Sequence, residues 1–116
     1  MYLKKETRIL VIDRLDDFII GLVVRGIAGI ENSVIFKNCN ELYSFLMQKT
    51  GIAGEVNYIM LNRDICTELK LTLPNVKSIT VSDVKDGELL AEIKEVLRIL
   101  HSLTLKYFAY VKQNEI

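Results

Sequence analysis

The sequence predicts an α/β fold: a four-stranded parallel sheet with flanking helices in the order βαβαβαβα, Rossmann-like or receiver-like, and a long C-terminal helix. Three observations predict it. Short β-branched runs at Arg8–Asp13, Ser33–Lys37, Val56–Leu61 and Val76–Val81 alternate with stretches of helical spacing. Strands joined by helix-length connections pair in parallel through right-handed crossovers. No glycine or proline follows Gly87, so one uninterrupted helix can form from about Asp86 onward.

Taken in order, Arg8-Ile9-Leu10-Val11-Ile12-Asp13 is a continuous β-branched run, the pattern of a strand buried on both faces. Asp16 and Asp17 then precede the apolar run Phe18–Ile27. Acids ahead of such a run read as a capped helix start, although its β-branched residues favour a strand. Gly26 and Gly29 supply a helix stop. After the strand Ser33–Lys37, Asn38 or Asn40 can cap a helix over Glu41–Lys49, with Leu42, Phe45 and Leu46 on its apolar side. Gly51 and Gly54 bracket a turn before the strand Val56–Leu61. A short helix over Asn62–Leu71 is broken by Pro74, the single proline. Val76–Val81 alternates in part, as an edge strand does. Residues 1–85 thus form the α/β domain and 86–116 the terminal helix.

Composition bounds the function. With 116 residues, half of them hydrophobic and 26% charged, the chain fits one globular domain. Its formal net charge of zero offers no basic surplus for nucleic acid. The most apolar stretch, Phe18–Ile30, contains Arg25 and is shorter than the ~20 residues a membrane helix needs, so no direct membrane insertion is expected. Cys39 and Cys66 lack zinc-ligand spacing and read as reduced thiols of a cytoplasmic protein.

The terminal helix carries the most informative pattern. Leu89, Ile93, Val96, Leu100, Leu103, Tyr107 and Tyr110 recur at alternating spacings of four and three, a heptad seam. A helix from Gly87 to Lys112 is ~39 Å long, whereas a strand of five or six residues spans about 17–20 Å. The sheet can therefore cover about the first half. Leu97, Leu100, Leu103, Tyr107, Phe108 and Tyr110 are the candidate partner-binding residues, because a helix of this length packs partly on its own domain and partly on a partner.

Signs of chemistry are sparse. Asp13, Asp16 and Asp17 follow the first strand, where a receiver domain holds Mg²⁺. The receiver's phosphoryl-accepting aspartate, however, is replaced by Asn62, and an amide is no carboxylate nucleophile. The glycines match no phosphate-loop spacing, and His101 has no nucleophile placed beside it. No catalytic residue, cofactor or metal is expected.

Two segments resemble the family of V-type ATPase F subunits. Asp17-Phe18-Ile19-Ile20-Gly21-Leu22-Val23-Val24-Arg25-Gly26-Ile27 is similar to the family's Asp-Thr-Val-x-Gly-Phe-x-Leu-x-Gly-Ile, with Asp17, Gly21, Gly26 and Ile27 matching directly. Tyr58–Leu69 is similar to a second family stretch, with Leu61, Asn62, Ile65 and Glu68 at corresponding places, and Leu73-Pro74 looks like its Ile-Pro. Asp17, Gly21, Gly26 and Asn62 are the structural signature. Arg25 departs from the small residue common there, and the loop Ser82–Asp86 is shorter than the family's. The resemblance implies a non-catalytic central-stalk (rotor) subunit. It would bind the coiled-coil D subunit of the stalk, reach toward the A and B subunits, couple ATP hydrolysis to rotation and modulate it. The complex would lie on the cytosolic face of a membrane. The alternative is a stand-alone receiver-like or Mg²⁺-binding module using Asp13, Asp16 and Asp17.

Overall fold

Arg8–Leu15 (β1) and Phe18–Arg25 (β2) form an antiparallel hairpin, with Arg8 opposite Arg25 and Leu15 opposite Phe18. This computed structural model describes residues 7–15, 17–48, 51–61, 65–66 and 76–114, and at 15, 52 and 104–114 the backbone alone. The helix expected over Phe18–Ile27 is therefore a strand, and Asp17 sits in a tight turn, not at a helix cap. The reason is physical. Ile19, Ile20, Val23 and Val24 are stiff at χ1 and fit a pleated sheet better than a helix. Both faces of β2 are covered, so every residue from Ile19 to Val24 is buried and no two-residue alternation shows in the sequence.

From β2 the chain passes through a 3₁₀ turn, Gly26–Ala28, and returns antiparallel as β3, Ile30–Phe36. Gly26 and Gly29 have φ of 48° and 91°, left-handed values that glycine adopts without penalty. A bulge interrupts the β2–β3 register between Val23 and Val24. On the other side of β1, Tyr58–Leu61 (β4) pairs in parallel, and Lys77–Ile79 (β5) pairs in parallel with β4. The sheet is mixed and five-stranded, in the order β3-β2-β1-β4-β5. That corrects the expected four-stranded parallel sheet. The extra strand is the stretch expected as the first helix, and only β1, β4 and β5 run in parallel.

Among the described residues three α-helices flank the sheet: α1 (Cys39–Met47), α2 (Gly51–Glu55) and α3 (Gly87–Asn114). Of the two capping candidates the structure uses Asn38, whose Oδ1 accepts the Glu41 N–H at 2.9 Å while Glu41 Oε2 accepts the Lys37 N–H at 2.7 Å. Of the helix expected over Asn62–Leu71, only Ile65 and Cys66 lie among the described residues. Cys66 has φ of 59°, a left-handed value that no α-helix contains.

Each face of the sheet has its own core. Ile9, Val11, Ile20, Leu22, Val24 and Met60 face α3 through Leu89, Ile93, Val96 and Leu100. Leu10, Ile12, Ile19, Val23 and Ile59 face the other way, against Leu42 and Leu46 of α1, with Val56, Ile65 and Val76 closing the layer. Gly21 lies within the sheet, where a Cβ would come 2.8 Å from Leu10 Cδ1. Gly21→Ala should therefore cost about 1–3 kcal/mol by overpacking, read as a lowered thermal midpoint. An unchanged midpoint would show that Leu10 yields freely.

Cys39, at the first position of α1, is joined to Cys66 by a disulfide, with Cα atoms 5.5 Å apart. The reading of both as reduced thiols is corrected. Spacing in a two-cysteine chain does not report spatial proximity. The bond ties α1 to the segment beyond β4, 27 residues apart in sequence. Closing a loop of that length stabilises by about 3.5 kcal/mol in the chain-entropy account. Reductant, or Cys39→Ser with Cys66→Ser, should lower the urea unfolding free energy by that order. A difference below about 1 kcal/mol would show that the clamp adds little.

Candidate functional site

The start of α3 is fixed by its own side chains. Asp86 Oδ1 accepts the N–H groups of Glu88 at 3.0 Å and Leu89 at 3.2 Å, satisfying donors that a helix start leaves open. Just upstream, a 3₁₀ turn at Val81–Asp83 is closed by a reciprocal box. Asp83 Oδ2 accepts the Thr80 N–H at 2.8 Å, and the Thr80 side chain accepts from the Asp83 backbone in return. These contacts aim α3 across the sheet.

Along α3 the apolar stripe changes character at one place. Ile93, Val96 and Leu100 are fully buried and Leu89 nearly so, while Leu90 and Leu97 pack partly against the same core. Leu103, the next residue of the seam, is 40% exposed. The helix nevertheless continues to Asn114, roughly three further turns or ~16 Å. Half of the 28-residue helix is thus anchored and half extends past the last core contact among the described residues. Arg98 and Glu95 form an ion pair on its exposed side, which lowers the Glu95 pKa and raises that of Arg98.

The partner-binding candidates divide accordingly. Leu100 is fully buried in the core shared with the sheet. Leu97 is half-buried on the sheet side, and Leu103 is exposed. The side chains of Tyr107, Phe108 and Tyr110 lie outside the described residues. Of the signature residues, Asp17 is exposed in the hairpin turn, Gly21 is buried in β2 and Gly26 opens the 3₁₀ turn at the opposite end of the hairpin. They form no cluster, and Asn62 lies outside the described residues.

The acids after β1 do not converge either. Asp13 is fully buried with its Oδ1 accepting the Arg14 N–H at 2.8 Å, Asp17 is exposed, and Asp16 lies outside the described residues. The chain turns back here as a hairpin, with Leu15 opposite Phe18. Among the described residues no three His, Cys, Asp or Glu side chains are placed to hold a metal. An open depression of ≈ 460 Å³ lies beside α1, lined by Phe36, Asn38, Glu41 and Phe45 among others. Asn38 and Glu41 are already engaged in capping α1. Among the described residues no helix is long and apolar enough to cross a membrane.

Comparison with protein-family models, with curated proteins and with solved structures finds no match. Function therefore has to be argued from the helix and from the residues themselves. The feature that the sequence did not disclose is the Cys39–Cys66 bond. The burial of Leu89, Ile93 and Val96 along the first half of α3 follows the spacing of the seam.

The Thr80–Asp83 box carries a pH signature. Hydrogen bonds from the Thr80 backbone and side chain hold the Asp83 carboxyl below its ordinary range. A depressed folded pKa contributes stability above the unfolded value, lost as the pH falls through the folded one. Asp83→Asn should flatten the acid limb of a stability–pH profile below about pH 4 and leave the neutral region's slope unchanged. An unaltered acid limb would show that the box does not titrate with folding.

Proposed function

We propose that the chain is a non-catalytic subunit of a larger assembly, held through the C-terminal half of α3. The observation that carries this reading is the step from Leu100, sealed against the sheet, to Leu103, 40% exposed, on a helix whose backbone continues to Asn114. The sequence of that second half, with Leu105, Tyr107, Phe108 and Tyr110, is unlike a solvated tail. Amphipathic helices of this kind bind by laying an apolar face on a partner helix or groove.

The particular assembly we propose is the central stalk of a V-type ATPase, with α3 against the coiled coil of the D subunit. Support comes from the likeness of Tyr58–Leu69 and of Leu73-Pro74 to the F subunits, and from the long terminal helix. The likeness of Asp17–Ile27 stands in its letters, while the stretch itself is strand β2 followed by a 3₁₀ turn. The disulfide weighs against the cytosolic location that this assembly implies, since such bonds are uncommon in reducing cytosol outside hyperthermophiles.

Truncation after Leu103 separates anchor from docking element. It should leave the urea unfolding free energy within about 1 kcal/mol of the full chain, because among the described residues the last core contact is Leu100. It should also abolish co-purification with a co-expressed coiled-coil D subunit. Retained binding would contradict the docking role of α3. Absence of binding by the full chain would contradict the stalk assignment.

A further inference from the structure

We propose that β3 is an association edge, pairing antiparallel with β3 of a second copy about a twofold axis at Val34. The argument begins with which way the backbone faces. The Thr7 carbonyl accepts the Gly26 N–H at 2.9 Å, so odd-numbered residues of β1 turn their polar groups toward β2. In the β1–β2 register, even-numbered residues of β2 then face β1 and odd-numbered ones face β3, as the Arg25 N–H donated to the Gly29 carbonyl confirms. Asn32, Val34 and Phe36, opposite Val23, Gly21 and Ile19, turn their backbone groups inward. Ser33 and Ile35 point their N–H and C=O groups out of the sheet.

The next outward donor, the Lys37 N–H, is taken by Glu41 Oε2 at 2.7 Å, and on the other side the bulge breaks the strand. Among the described residues, two donors and two acceptors of the β3 edge therefore remain, at Ser33 and Ile35. Only a twofold at Val34 uses all of them, because it sets Ser33 opposite Ile35 of the second copy and the reverse. A twofold at Ile35 would need the occupied Lys37 donor.

Side chains agree with this register. Asn32–Phe36 carries no charge, so no like charges meet at the centre. Glu31, at the register shift, is held within its own chain, where Arg8 Nε and Nη2 donate to its carboxylate at 2.8 Å and 3.2 Å, so it stays out of the pairing. Ile35, 61% exposed in one chain, gains cover from its symmetry mate. The opposite edge contrasts with it: β5 has three residues, and exposed Lys77 lies on it, features that discourage edge pairing. A short strand pair is a small interface, so association should be weak, with a dissociation constant of roughly 10 µM to 100 µM.

Sedimentation of the full chain between about 1 µM and 500 µM tests the proposal and should show a monomer–dimer equilibrium. Ile35→Lys, on an exposed position that leaves the β2 ladder intact, should weaken it at least tenfold. Val34→Cys should form a cross-link between the two introduced thiols, mapped by peptide mass, while Ser33→Cys should not. A monomer throughout the range would overturn the proposal. So would a dimer indifferent to Ile35→Lys, or one lost on truncation after Leu103.

Discussion

The structure depends on sealing both faces of a sheet whose central strands are apolar on both sides. β1 contributes Ile9 and Val11 to one core and Leu10 and Ile12 to the other, all fully buried. Neither face can be left to water, so one side requires α3 and the other α1, α2 and the segments around Ile65 and Val76. Burial of Leu89, Ile93, Val96 and Leu100 alone is worth on the order of 6–12 kcal/mol before the entropy of ordering the helix. That interaction holds the first half of α3 in place. It also sets the direction in which the second half leaves, and so links packing to the proposed docking.

Much of this was legible in the sequence, and the failures have definite causes. The seam of α3 was readable because a helix covering one face keeps its 3.6-residue period, and because its length exceeds any strand below it. β1 and β4 were readable as short β-branched runs. β2 was not, because a strand buried on both faces shows a continuous apolar run, which periodicity cannot tell from a buried helix. The Asp16-Asp17 pair compounded the error, since acids serve equally as helix caps and as turn residues. Only the chemistry of Ile19, Ile20, Val23 and Val24 pointed the right way. The disulfide was hidden for a different reason: the proximity of Cys39 and Cys66 is produced by the crossover from α1 to β4, which no local pattern encodes.

The corrected fold alters how the site is read. With β2 in place of a helix, Asp17 sits at a hairpin turn and Asp13 is sealed inside. The hairpin also brings in β3, an antiparallel strand with an open outer edge. The molecule thus presents two surfaces of different kinds: a helix whose apolar side outlasts its own sheet, and a strand whose backbone groups outlast theirs. The disulfide joins α1 to Cys66 in the layer opposite α3.

Hydrogen exchange along α3 in the isolated chain at low concentration tests the central claim most directly. Amides from Ile93 to Leu100 should exchange only through global opening, because their side chains lie in the core. Amides from 104 to 114 should exchange at least about a hundredfold faster, and should slow only when a partner is bound. Equal protection of both halves in the lone monomer would contradict the account, since it would mean that the chain already covers its own helix to the end.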